Sequence, residues 1–170
     1  MNWHAALTYG LIWCALWGAL ITGLEILWPQ LMLHTYPPAL QEVIHLTPLA
    51  GKRKTAAFAV SGVGALALLT FVFWSVLSTY ATVRVSFLTL CLHIAVMTML
   101  WNLVDLLVMD WLIFCTLRPR YLVLPGSQGH PAYRDYRFHA VAFLKGCLLC
   151  AAGSLLLAVV AYPALRWWVW

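Results

Sequence analysis

The sequence predicts an all-α integral membrane protein, a four-transmembrane-helix bundle with both termini on the non-cytoplasmic side. Three observations carry that reading. Of 170 residues, 64% are hydrophobic and only 9% charged, whereas a soluble domain carries about 25% charged residues. Four stretches reach the roughly 20 mostly apolar residues that a helix needs to cross a bilayer. The Lys and Arg residues, finally, gather in two of the connecting loops. The same composition excludes a disordered, collagen-like or coiled-coil chain. Ten dispersed Lys and Arg form no phosphate-tracking stripe, so no nucleic-acid partner is expected.

The first span runs from about Ala5 to Trp28. Met1–Gly10 carry no Lys or Arg, so this is read as a retained span rather than a cleaved signal peptide, which needs a basic start and a small-residue cleavage site. Loop one, residues 29–55, is rich in Pro and His and ends in Lys52-Arg53-Lys54. Its Pro38–Leu46 stretch reads as a short interfacial helix with Glu42 in its middle, and the basic triplet would hold it against anionic lipid. The second span covers about Ala56 to Thr79, and the tight link at Tyr80–Val85 forces it into an antiparallel hairpin with the third, Ser86 to Leu117. That third span would measure about 48 Å as one helix, more than the roughly 30 Å hydrocarbon core, and is expected to extend beyond it before the Arg118-Pro119 stop. Loop three, residues 118–138, leads to the fourth span, about His139 to Tyr162. There is no internal repeat or low-complexity tract, and residues 1–170 read as one domain.

Cytoplasmic loops carry the excess of Lys and Arg. Lys52, Arg53, Lys54, Arg118, Arg120, Arg134 and Arg137 lie in loops one and three, against Arg84 and Arg166 on the other side. Seven against two places both loops in the cytoplasm, within a multi-pass protein of the cell membrane. Arg166, Trp167, Trp168 and Trp170 then anchor the C-terminus at the outer interface, where Trp is favoured.

Ionisable residues inside a membrane are costly and mark functional sites by default. Glu25 on the first span, Asp105 on the third and Lys145 on the fourth fall at one depth, in the inner third of the bilayer. Thr98, Trp101, Asn102, Asp105 and Met109 recur at three- and four-residue spacing and so share a face of an α-helix. Asp110 is turned about 140° from Asp105 by the 100° α-helical step, which argues against a carboxylate dyad and directs Asp110 towards Arg118 or Arg120. Asp105, Glu25, Asp110 and His139 are the candidate acid/base residues. A structural ion pair of Lys145 with Asp105 or Glu25, with Asn102 bonding between helices, is the alternative role for the same groups.

Loop three concentrates hydrogen-bonding side chains as no other segment does: His130, Tyr133, Arg134, Asp135, Tyr136, Arg137 and His139. Connections in helical bundles commonly need only about 2–8 residues, so the extra length suggests a lid or binding loop. Arg134 and Arg137 suit an anionic group, and His130, Asp135 and His139 suit proton transfer. Together with Trp101, Asn102, Tyr133 and Lys145 these make the candidate substrate-binding set. The alternative is an interfacial segment whose Tyr and Arg sit among headgroups. His130-Pro131-Ala132-Tyr133 resembles the short His-Pro-x-Tyr element of membrane methyltransferases that act on isoprenylcysteine or phospholipid. That resemblance covers four residues and lacks the acidic pair that follows the element, so it assigns no family.

Cys14, Cys91, Cys115, Cys147 and Cys150 all lie in or at the ends of spans. Cys147-Leu-Leu-Cys150 has redox-pair spacing and is similar to the membrane-helix pair of vitamin K epoxide reductase-type enzymes. It falls on the cytoplasmic half, where thiols stay reduced, and no second pair exists to relay electrons. These cysteines read as small core residues. The six His residues show no metal-ligand spacing, so no metal is expected and no cofactor is identified. Gly10, Cys14, Gly18 and Thr22, then Ser61, Gly62, Gly64 and Ala65, then Gly146, Cys150 and Gly153, are small-residue faces that let helices approach closely. They suit the bundle's own interfaces, and one face is available to a homodimer.

The functional expectation is a membrane-embedded enzyme using acid/base chemistry on a lipophilic, isoprenoid- or lipid-like small molecule at a cytoplasm-facing cleft. Its rivals are a small proton- or cation-coupled transporter or channel component, and a non-catalytic assembly subunit. Outward of Asp105 the spans offer mainly Thr98, His93, Thr89 and Ser86, all on span three, which favours a one-sided pocket over a through-path. The expected partners are membrane lipids and the lipophilic molecule itself. Reporter fusions test the topology: a C-terminal fusion should be active only with a reporter that works outside the cytoplasm, and a cytoplasmic signal there would reverse the assignment.

Overall fold

The computed structural model describes residues 1–169. Trp170, one of the expected interface anchors, lies outside them, as does the side chain of Trp168. The described chain is helical, and four helices are long and apolar enough to cross a membrane. In chain order they are α1 (Trp3–Leu27), α4 (Gly51–Tyr80), α5 (Phe87–Val104) continued by a π-helical segment (Asp105–Leu117), and α6 (Tyr136–Trp168). Two short helices, α2 (Pro29–Met32) and α3 (Pro38–Val43), occupy loop one.

Local chemistry sets the ends of these helices. Asn2 accepts a hydrogen bond from the Ala5 N–H at 3.0 Å and starts α1. Pro29 ends it, because a residue before proline is driven out of the α region, and Trp28 has φ −141°. Ser86 caps α5 through the Thr89 N–H at 3.2 Å, and Asp135 caps α6 through the Phe138 N–H at 2.9 Å. Such caps satisfy N–H groups that have no partner inside the helix.

The third span is continuous, as expected, but it changes winding. From Asp105 its hydrogen bonds run i→i+5, closing with the Arg118 N–H on the Ile113 carbonyl at 2.8 Å. Arg118 then turns the chain in the left-handed region, at φ 48°. In a helix wound in this way residues five apart come round to nearly the same side. The expected 140° separation of Asp105 and Asp110 therefore does not hold.

α5 is central, with α1 on one flank and α6 on the other, while α4 lies outside against α1. The outward faces are apolar, with Leu148 74% and Val63 68% exposed. Inside, Trp13, Val72, Val76, Leu90, Ile94 and Met97 form the core of the half that holds the α4–α5 link. A fully buried polar knot crosses that half: the His93 ring lies 3.2 Å from the Tyr80 hydroxyl and 3.4 Å from Ser75 Oγ.

Loops one and three do not lie apart as separate interfacial segments. They fold together into a cap with its own core, in which Tyr36, Leu40 and Ile44 meet Phe114, Cys115, Leu122, Leu124 and Tyr133. The short helix of loop one ends at Val43, earlier than expected, with Leu40 buried against loop three. The loops touch at Gly126, which has φ +91° and where a Cβ would press on the Val43 carbonyl. Only glycine meets both demands there.

The small residues sit at close helix approaches. Gly10 faces Met97 and Leu100, Gly18 faces Trp101, and Gly64 faces Leu20. Gly146 is the tightest, since a Cβ there would overlap the Asn102 amide. That approach lets Asn102 Nδ2 donate to the Phe143 carbonyl at 3.1 Å. Gly146→Ala should therefore destabilise the protein by about 1–3 kcal/mol, the usual cost of overpacking. Gly153→Ala, on the same helix with open space at its Cβ, should be neutral or mildly stabilising. Thermal unfolding of the two variants in one detergent checks the contrast, and equal midpoints would remove the packing role assigned to Gly146.

Candidate functional site

Between the helices and the cap lies a cavity of about 130 Å³. α1 contributes Trp17, Ile21 and Glu25 to its wall; α5 and the π segment contribute Trp101, Asp105, Met109, Asp110, Ile113 and Phe114; α6 contributes His139. Met32 and Thr35 of loop one and Leu122 of loop three close it on the cap side, and α4 takes no part. Three carboxylates from two spans and one imidazole from a third therefore line a single small space.

The winding of the third span makes this arrangement. On one α-helix Asp105 and Asp110 would face apart, but in the π segment both line the same cavity. Asp110 meets His139 rather than Arg118 or Arg120: Oδ1 lies 3.0 Å from Nδ1. The His139 ring is 3% exposed and is held edge-on by Phe114 and Phe138, with centroids 5.0 and 5.2 Å away. Its Nε2 is buried without a hydrogen-bond partner. An unpaired buried polar atom is costly and uncommon in a native fold. Next to a cavity, it marks an atom free to engage a ligand. Neither Glu25 nor Asp105 meets a hydrogen-bond donor or a cation among the described side chains.

The opposite end of the cavity is closed by aromatic rings. Trp13 and Trp17 stack at 5.9 Å with an interplanar angle of 3°, and Trp101 meets Trp17 edge-on at 6.0 Å. Trp13 donates its indole N–H to the Leu68 carbonyl at 3.2 Å, which satisfies its one polar atom and ties α1 to α4. This plug separates the acidic cavity from the His93 knot.

The shared face expected around Asp105 divides between two neighbours. Trp101, Asp105 and Met109 line the cavity, whereas Thr98 pairs with Ser154 Oγ at 3.2 Å and Asn102 bonds to α6. Asn102 is thus helix-to-helix glue. Lys145 is exposed and forms no ion pair with Glu25 or Asp105 among the described residues, so the alternative of a structural ion pair is not made. It stands instead beside Asp105 and Asp110 in a groove on the α6 side.

Most of the polar density of loop three builds the loop itself. His130 Nδ1 accepts from the Ala132 N–H at 3.2 Å and caps a 3-10 turn at Pro131–Arg134. Asp135 caps α6. Tyr133 is 1% exposed, and its hydroxyl lies 2.7 Å from Ser127 Oγ and 3.0 Å from the Leu122 carbonyl while accepting from the Leu124 N–H at 3.3 Å. Arg134 and Arg137 are exposed. Of that cluster only His139 reaches the cavity.

Sequence reasoning missed Tyr36, Phe114 and the Trp17 wall. Tyr36 donates to the Leu122 carbonyl at 3.0 Å and stacks edge-on against Phe114 at 4.9 Å. Burial, reinforced by the charge of Glu25, pushes its phenol well above the usual range, so it remains a neutral donor. Phe114 joins this cap to the His139 ring. Only the spacing of Trp13 and Trp17 on one helix face could have signalled the plug.

Among the described residues no group of three His, Cys, Asp or Glu side chains is arranged to hold a metal ion. All five cysteines are free thiols, and those at 147 and 150 face Asn102 and the Thr98 carbonyl respectively. No protein family, curated protein or solved structure matches the chain.

The shared acceptor at Leu122 separates the two cap tyrosines. Tyr36→Phe strands no group, since Leu122 keeps the Tyr133 hydroxyl, but Tyr133→Phe leaves the buried Leu124 N–H unpaired. The second should loosen the cap by about 1–3 kcal/mol, the cost of an unsatisfied buried donor. Hydrogen exchange across residues 118–135 should accelerate by roughly ten- to a hundredfold in Tyr133→Phe and much less in Tyr36→Phe. The reverse order would contradict this assignment.

Proposed function

We propose that the protein is a membrane-embedded enzyme that performs proton transfer on a lipophilic or lipid-like small molecule, with the His139–Asp110 pair as its base. The observation that carries this reading is the buried, unpartnered Nε2 of His139 beside a cavity whose wall also holds Glu25 and Asp105. When neutral His139 donates its Nδ1 proton to Asp110, the ring presents a lone pair at Nε2. A carboxylate that orients an imidazole in this way is the recurring device for general-base catalysis. Asp105 and Glu25, on the other walls, supply acidic groups to give a proton to the substrate or to take it on. Two separate proton-handling centres are what an isomerisation, elimination or transfer at a polar head requires.

The excess of Lys and Arg in loops one and three supports a cytoplasmic cap with both termini outside. The acids then lie within the inner part of a cell membrane, and the cavity faces the cytoplasmic leaflet. The Trp13–Trp17–Trp101 plug supports an enzyme over a proton- or cation-coupled path, because a path needs polar groups leading outward and here packed indoles stand in the way. A built cavity with a free base likewise supports chemistry over a purely structural assembly subunit.

The test is turnover by the protein in nanodiscs made from a total lipid extract, followed by mass spectrometry. Wild type should consume at least one lipid species that His139→Gln leaves untouched, with a rate loss of about 100-fold or more for loss of a general base. Asp110→Asn should lose activity while retaining the fold, since it keeps the shape but presents the wrong partner to Nδ1. Identical lipid profiles with wild type and His139→Gln would overturn the reading.

A further inference from the structure

A second feature lies on the outer side of Asp105 and Asp110. These two carboxylates also line a groove of about 280 Å³ between the π segment and α6, where Asn102, Phe143, Lys145 and Leu149 complete the wall. Ala142 and Lys145 belong as well to a neighbouring depression of about 330 Å³ that continues to Arg137 and Asp135 at the start of α6. Residues 138, 141, 142, 145 and 149 fall at three- and four-residue spacing, so one face of α6 forms the floor of both. The two depressions therefore adjoin along this face, at Ala142 and Lys145.

Arg137 and Lys145, both exposed, stand at its cap end and middle, and neither forms an ion pair among the described residues. Asp135 is beside them, with Oδ1 engaged by the Phe138 N–H. The inner wall carries Asp105 and Asp110, the latter shared with His139. Away from the cap the groove reaches Leu149, 72% exposed on the apolar outer surface of α6. Cations without partners attract an anion, carboxylates on the facing wall attract a cation, and the apolar surface accepts hydrocarbon. One molecule that carries all three parts is a phospholipid whose phosphate bears an amine.

We infer that this groove binds a membrane phospholipid of the amine-bearing class, with its phosphate on Arg137 and Lys145, its ammonium on Asp105 and Asp110, and its chains over Leu149 along the apolar surface of α6. The inference rests on the enzyme reading only for the claim that such a lipid is the substrate, since binding itself is independent of turnover. Recruitment through the side of the bundle brings the head to the outer face of the same two acids whose inner face lines the catalytic cavity. It also explains why Lys145 is left unpaired next to two carboxylates: its partner is the ligand.

The experiment is native mass spectrometry of the full chain in detergent, titrated with dioleoyl phosphatidylethanolamine, dioleoyl phosphatidylglycerol and a dioleoyl trimethylammonium lipid that lacks phosphate. Phosphatidylethanolamine should be retained about tenfold better than either of the others, the increment expected from one further charge-assisted contact. The double variant Arg137→Gln, Lys145→Gln alters only exposed side chains and should lose that retention. Asp105→Asn, close in shape, should keep phosphate binding and lose the preference for ethanolamine over glycerol. Equal retention of ethanolamine and glycerol lipids by wild type, or unchanged binding by the double variant, would overturn the inference. Binding without any lipid turnover would defeat only the enzyme reading, and turnover without this preference only the groove.

Discussion

The change of hydrogen bonding at Asp105, from i→i+4 to i→i+5, is the constraint on which the rest of the site depends. It turns Asp105 and Asp110 to the same side of one helix, sets Asp110 against His139, and aims Phe114 at both the His139 ring and the cap. A wider helix packs less well and is rarely longer than a single turn. Here it runs from Asp105 to Leu117 and is braced on both flanks: α6 packs along it, and the cap core seats Phe114 and Cys115 at its end. The arrangement is therefore cooperative, because the cap holds the winding that positions the acids and the winding supplies two side chains to the cap's core.

The cap also explains why a loop of this length is present. Its polar residues are mainly helix caps and partners for buried backbone, with Tyr36 and Tyr133 sharing the Leu122 carbonyl. A roof of this kind closes the cap end of the acidic cavity with only Met32, Thr35 and Leu122. At the other end the stacked indoles of Trp13 and Trp17 do the same with apolar surface. Glu25, Asp105 and Asp110 sit between these two closures, half-buried, and Asp105 and Asp110 also reach the groove on the α6 side.

Much of the fold was legible in the sequence because a bilayer imposes length and apolarity on each span, and these can be read residue by residue. Glu25, Asp105 and His139 were legible for the same reason, since an ionisable group on such a helix is conspicuous. The pairing of Asp110 with His139 was not, because the angle between residues 105 and 110 depends on the winding, and no short-range signal in Asp105–Leu117 distinguishes π from α. Tyr133, His130 and Asp135 illustrate the opposite error. Their side chains suit catalysis and equally suit capping or burial in a small core, and only tertiary contacts decide between those uses. Lys145 stands next to the carboxylates but on their outer side, because its direction follows from the rotation of α6 about its axis.

That rotation is fixed by Gly146 and Asn102. With no side chain at 146, α6 approaches α5 closely enough for the Asn102 amide to reach the Phe143 carbonyl, one turn before Cys147. This contact sets which face of α6 meets the π segment. It places His139 on the cavity side and Lys145 on the groove side, six residues apart and so turned roughly 120° away from it by the α-helical step. One close approach thus divides the polar groups of α6 between a buried imidazole and an exposed cation, with Asp105 and Asp110 standing between them. The buried imidazole on one side and the exposed ammonium on the other are two consequences of the same packing contact.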